Sequence, residues 1–182
     1  MSILKNYYES IIKRDLLNKF SYSTIEDIPQ LKKIILNFGC KSSEIKSLAS
    51  SLLALELITI QKGSLTKSKR ANILLKIRKG NPVGCVIVLK RDKMYDFLIK
   101  ILIDVFPNLK DFKGINPTRS LVAPTISFTL KDLISFRELE KQFYLFSSLP
   151  PLNIIIVTNT KTNEELCYLL EAFKLPFSAL LK

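Results

Sequence analysis

Short runs of two-residue hydrophobic alternation are interleaved with amphipathic runs of helical period, and this interleaving limits the possible folds more than any other feature of the 182-residue chain. Leu4, Tyr7, Tyr8, Ile11, Ile12 and Leu16 recur at helical spacing and predict a first helix that ends before Ser21. Ile28-Pro29 then imposes an extended backbone. From Leu31 to Phe38, Ile34, Leu36 and Phe38 fall on one face and Lys33, Ile35 and Asn37 on the other, so the segment predicts a strand that Gly39 ends. Ser43 is placed to cap a helix running to about Ile58, with Ile45, Leu48, Ala49, Leu52 and Leu55 on successive turns. Ile73, Leu75 and Ile77 alternate with Leu74, Lys76 and Arg78. Gly80-Asn81-Pro82 then turns the chain into Cys85–Leu89, which together predict a long hairpin with basic tips.

The second half continues the pattern. Asp92 is placed to cap a helix whose stripe of Met94, Phe97, Leu98, Ile101, Leu102 and Val105 stops at Pro107. Residues 108–124 have no clear period and predict a surface loop. Thr125–Leu130 and Leu152–Thr158 predict strands, with a short helix around Leu139 to Phe146 between them. Thr162-Asn163-Glu164-Glu165 forms a capping box that opens a last helix through Phe173. Strands joined by both hairpins and helices imply an α+β two-layer sandwich, its sheet mostly antiparallel with helices packed on one face. The length, with 47% hydrophobic residues, implies a single domain over residues 1–182.

The chain has no histidine, which removes the usual general base, the Ser-His and Cys-His pairs and the commonest metal ligand. The adjacent carboxylates Glu138 and Glu140, or Glu164 and Glu165, lie on helical stretches expected to be solvated. The turns Gly63 to Ser68 and Gly80 to Gly84 have too few glycines for a phosphate-binding or dinucleotide loop. Neither catalysis nor a cofactor or metal is expected. Cys40, Cys85 and Cys167 are too far apart for a CxxC pair and are expected as reduced thiols. The apolar runs are short and broken by charge, and the first helix carries mixed charge, so no membrane partner is expected. The N-terminus has neither a signal-peptide run nor the acid-poor character of a transit peptide, which implies synthesis in the compartment of use.

Charge is where function shows. The net charge of +12 favours a polyanionic partner. From Leu57 to Arg91 there is no acid, and nine bases stand there: Lys62, Lys67, Lys69, Arg70, Lys76, Arg78, Lys79, Lys90 and Arg91. Asp132 to Glu171 holds six acids against three bases, so the molecule is electrically two-sided. Cations on hairpins and loops reach phosphates, while Asn37, Gln61 and Thr66 offer neutral hydrogen bonds to riboses or base edges. The basic region lacks an aromatic ladder, so folded RNA recognised by shape and backbone is the expected ligand. Beside a fixed RNA-binding part of a large ribonucleoprotein, a free-standing RNA-binding protein and an RNA-modifying enzyme are the alternatives, and the last needs a catalytic cluster that the sequence does not offer.

Several segments carry a resemblance to a known family. They are Ile28-Pro29-Gln30-Leu31-Lys32-Lys33-Ile34-Ile35-Leu36-Asn37-Phe38-Gly39, Leu57 to Lys62, Thr66 to Lys69, Lys76 to Cys85, Asp92 to Tyr95, Asp111 to Gly114 and Leu169 to Phe177. In order and spacing they resemble large-ribosomal-subunit protein five, the 5S-rRNA-binding family, in its bacterial and organellar form. The resemblance implies a place in the central protuberance, docking 5S rRNA against the large-subunit rRNA, with no homo-oligomer. It implies 5S-facing roles for Asn37, Gln61, Lys62, Thr66, Lys69 and Lys90, to which Lys67, Arg70 and Arg91 are added from the charge pattern. It places Lys76, Arg78, Lys79 and Asn81 toward P-site tRNA, and the loop of Asp111, Phe112, Lys113 and Gly114 toward a protein of the small-subunit head. Ile60 and Gly63 stand where the family has Gly and Pro, and Val86, Val88 and Arg91 where it has Lys, Thr and Gly. Low glycine, no tryptophan and abundant Ile, Leu, Lys, Ser and Phe resemble organelle-encoded composition. A ribosome of the mitochondrial matrix is therefore expected, with a plastid or the bacterial cytoplasm as alternatives.

Overall fold

The computed structural model describes residues 2–40, 45–110, 112–116 and 121–178. Helix α1 (residues 3–19) carries a π-helical turn at Tyr8–Ile12. Strand β1 (Leu31–Gly39) leads to α2 (Ile45–Thr59), followed by β2 (Ser64–Lys67) and β3 (Pro82–Leu89). Helix α3 (residues 92–108) has its own π-helical turn at Ile101–Val105. The hairpin of β4 (Leu121–Val122) and β5 (Thr125–Leu130) precedes the short helices α4 (Arg137–Glu140) and α5 (Phe143–Phe146), then β6 (Leu152–Thr158) and α6 (Asn163–Ala172). The strands form one six-stranded antiparallel sheet in the order β2-β3-β1-β6-β5-β4, with helices packed on it, and the α+β expectation holds.

Packing divides the chain into two compact units, residues 1–34, 89–128 and 155–182 in one, residues 35–88 and 129–154 in the other. In the first, the Tyr8 hydroxyl donates to the Pro29 carbonyl at 2.8 Å and its ring stacks on Phe173, while Tyr95 also meets Phe173. Burial pushes the Tyr8 hydroxyl up, which keeps it a donor. The Asn159 amide donates to the Glu26 and Ile28 carbonyls at 3.0 Å, and its oxygen accepts from the Gln30 amide at 2.7 Å. One side chain therefore fixes the extended entry to β1 that Ile28-Pro29 imposes. The capping box is made as expected, with Thr162 and Glu165 each accepting from the other's backbone amide.

In the second unit Leu48, Ser51, Ala54, Leu55 and Ile58 form the buried stripe of α2, and α4 and α5 pack against that helix. Cys40 and Cys85 are buried, the Cys40 thiol 3.7 Å from the Ser51 hydroxyl and the Cys85 thiol 3.6 Å from the Leu48 carbonyl; Cys167 is half-buried, and all three are free. Burial raises the Cys85 thiol to about 11. Gly84 is required here, because a Cβ on it would lie 2.4 Å from the Phe38 carbonyl oxygen and 2.8 Å from the Thr66 hydroxyl.

Five expectations need correction, one of them the surface loop over 108–124, which gives Asn108 to α3 and Leu121–Val122 to β4 and buries Ile115. The hairpin does not pair Ile73–Ile77 with Cys85–Leu89, since β3 takes Ser64–Lys67 as its partner, with a bulge between Thr66 and Lys67. The alternation at 73–77 buries only Ile77, so it does not mark a sheet face. Asp92 is the first helical residue and not the cap, the cap position belonging to Arg91. The Asp92 carboxylate instead pairs with Lys5 at 3.1 Å. Helix α3 does not stop at Pro107 but includes it in its last turn, and the segment from Leu139 to Phe146 is two short helices. Ser43 lies outside the described residues.

Candidate nucleic-acid interface

Strand β1 buries Ile34, Leu36 and Phe38, so its alternation turns half-buried Asn37 to the opposite face, with Lys33 and Ile35. Thr66, also half-buried, pairs with Gly84 across β2 and β3, and Ser64 pairs with Val86, whose carbonyl accepts from the Ser64 hydroxyl at 3.2 Å. Gln61 leaves the end of α2 and donates from Nε2 to the Val88 carbonyl at 3.4 Å. Glu56, the acid just before the acid-free run, accepts from the Gly63 amide at 2.9 Å. Its charge is spent on holding the turn rather than offered to a polyanion.

All nine cations of the acid-free region are exposed, and among the described residues none is held in an ion pair. Lys62, Lys67, Lys69, Arg70, Lys76, Arg78 and Lys79 belong to the second unit, Lys62 in the turn between α2 and β2, Lys67 at the end of β2, and the others on the long excursion between β2 and β3. Lys90 and Arg91 belong to the first unit, at the end of β3 and the start of α3. Asn81 is half-buried, and its carbonyl closes the excursion by accepting from the Ser68 amide at 2.8 Å. The second unit thus holds Asn37, Gln61, Thr66 and seven exposed cations, residue types that can take phosphates with charge and riboses with neutral hydrogen bonds.

The described part of the 111–114 loop, Phe112 to Gly114, is built differently from a free surface segment. The Phe112 ring stacks on Phe106 at 4.5 Å, and Ile115 is buried and bonded to the tail by its amide to the Pro176 carbonyl at 2.8 Å. Gly114 has φ of 92° against Phe177 and Ser178, a place for glycine alone. Lys113 is exposed, and Asp111 lies outside the described residues. No group of three or more metal-ligating side chains occurs among the described residues, and no helix among them is long and apolar enough to cross a membrane.

The C-terminal part of the ribosomal L5 family matches residues 82–177. The large ribosomal subunit protein uL5m of Reclinomonas americana is 39% identical over 98% of this chain and 99% of its own length. Similar proteins include uL5 of Desulforapulum autotrophicum, 37% identical, and uL5 of Syntrophus aciditrophicus, 35% identical, each over 97% of this chain and 99% of its own. The chain belongs to the ribosomal L5 family. Two departures from the family pattern acquire a physical meaning in the structure. Ile60 and Arg91, which the resemblance sets against family glycines, take φ values of 51° and 54°, a region that favours glycine. The left-handed region costs a side chain roughly 1–2 kcal/mol, while returning to glycine costs about 0.5–1 kcal/mol of backbone entropy. Ile60 is 84% exposed and packs little. Ile60→Gly should therefore stabilise the protein by about 0.5–1 kcal/mol, read as a higher urea midpoint.

Proposed function

We propose that this chain is a structural constituent of the large ribosomal subunit, with no catalytic role, and that it binds 5S rRNA in the central protuberance. The observation that carries the reading is the second unit's set of exposed cations, none ion-paired among the described residues, in the same unit as Asn37, Gln61 and Thr66 and in a chain of this family. In this reading Asn37, Gln61, Lys62, Thr66, Lys67, Lys69 and Arg70, with Lys90 and Arg91, face 5S rRNA and the large-subunit rRNA. Lys76, Arg78, Lys79 and Asn81 approach P-site tRNA, and Lys113 meets a protein of the small-subunit head. The likeness to uL5m supports a mitochondrial ribosome. The chain acts as one domain, because β1, β3, β5 and β6 each have residues in both units.

Affinity for a 5S transcript, measured from low to high salt, tests this. A log–log slope near −0.9 per phosphate neutralised is expected, with Lys62→Glu weakening binding several-fold and Lys76→Glu leaving it unchanged. Binding indifferent to salt and to Lys62→Glu overturns the proposal.

A further inference from the structure

The excursion between β2 and β3 ends in a firmly built turn with the wrong residues at its apex. Asn72 and Ile77 exchange both backbone hydrogen bonds, at 2.8 and 2.9 Å. Within them the Asn72 side-chain oxygen accepts from the Leu75 amide at 3.3 Å, and the Ile73 carbonyl from the Lys76 amide at 3.1 Å. Lys76 takes a left-handed φ of 52°, and buried Ile77 anchors the base. Held out at the apex are Ile73 and Leu74, 92% and 94% exposed.

Turn apices favour Gly, Asn, Asp, Pro and Ser. Two adjacent large aliphatics on a rigid turn lose that advantage and cover nothing in the fold, the kind of local violation that marks a working surface. Five exposed cations, Lys69, Arg70, Lys76, Arg78 and Lys79, surround them, with no acid between Leu57 and Arg91. Most other exposed apolar residues, such as Ile3, Ile25 and Ile103, are scattered and ordinary. Phe143, Tyr144 and Leu145 cluster on α5 without a comparable charge to say what covers them.

We propose that Ile73 and Leu74 form an apolar wedge that seats on uncovered nucleobase faces of a folded RNA, while the surrounding cations hold its phosphates. The inference rests on the reading of this excursion as an RNA-facing element. Charge complementarity selects a polyanion, and the apolar surface a folded RNA exposes is the face of a base at the end of a stack or outside it.

The test uses the full chain and two RNAs: a tRNA transcript, whose loops leave base faces uncovered, and a long continuous duplex, in which neighbours cover nearly all of them. Covering about half of each of the two aliphatic side chains is together worth about a tenfold change in affinity. Ile73→Ser with Leu74→Ser should bind the tRNA transcript about tenfold more weakly, with unchanged salt slope and unchanged duplex affinity. Lys76→Gln with Arg78→Gln should instead reduce the salt slope on both RNAs, by about 0.9 per lost contact on the duplex. Equal affinity of the serine variant and the wild type for the tRNA transcript overturns the wedge, as does an equal loss on both RNAs. Capture of the wild type by anionic phosphatidylglycerol vesicles, lost in the serine variant while tRNA affinity stays the same, assigns the tip to a membrane and also overturns it. If the lysine and arginine variant binds both RNAs like the wild type, the RNA-facing reading of the excursion falls as well.

Discussion

Phe38→Ala should lower the stability of the protein by about 3–5 kcal/mol, the range for removing a large side chain from a filled core. The Phe38 ring is fully buried on β1, an interior strand of the sheet, and its carbonyl oxygen is the atom that forbids a side chain at Gly84. Shrinking it leaves a cavity between elements that cannot easily close, since strands on both sides are fixed by the sheet. The readout is a urea titration with two probes. Of the tyrosines, Tyr7, Tyr8, Tyr22, Tyr95 and Tyr168 belong to one unit, whereas the buried thiols Cys40 and Cys85 belong to the other. With no tryptophan in the chain, tyrosine emission mainly follows the first unit, and with half-buried Cys167 of that unit replaced by serine, thiol reactivity follows the second. Both midpoints should fall together. A fall in the thiol midpoint alone would separate the chain into two folding domains.

Lys62→Glu combined with Lys69→Glu should weaken binding to a 5S transcript by on the order of a hundredfold at moderate salt, and leave folding unchanged within about 0.5 kcal/mol. Both side chains are exposed in the second unit, so their reversal disturbs no packing. In the proposed interface each reversal removes a phosphate contact and adds a repulsion. The salt dependence should therefore flatten along with the affinity, by about 0.9 in the log–log slope for each contact removed. Filter binding across a salt series separates this outcome from a folding defect, which would lower the bound fraction at every salt concentration alike.

How much of the structure is legible in the residues depends on how local the signal is. β1 and β6 are recoverable because each lies inside the sheet and buries alternate side chains, which writes a period of two into the residues. The start of α6 is recoverable because both halves of its capping box lie within four residues. β2 escapes for the opposite reason: an edge strand whose residues are exposed or half-buried has no face to mark, and Ser64-Leu65-Thr66-Lys67 offers one apolar residue. Ile73, Leu75 and Ile77 supply a competing alternation with no sheet behind it. Phe112 reads as part of a facing loop because its stacking partner, Phe106, belongs to a preceding helix and nothing in the local pattern joins the two. The cationic character of the site is fully visible, since charge is read residue by residue. The left-handed backbone at Ile60, Lys76 and Arg91 is not, because those residue types ordinarily avoid it.

The bulge at Thr66 and Lys67 has a further consequence for the chain before it finds its partner. β2 is an outer strand of the sheet, four residues long, and an open outer strand invites the same strand of another copy to add itself and begin an aggregate. The break in pairing twists that border out of line, and exposed Lys67 sets positive charge against positive charge when two copies approach. At the opposite border β4 is only two residues long. In the reading proposed above, the lysine that would meet a phosphate in the finished particle also keeps newly made chains apart until it forms.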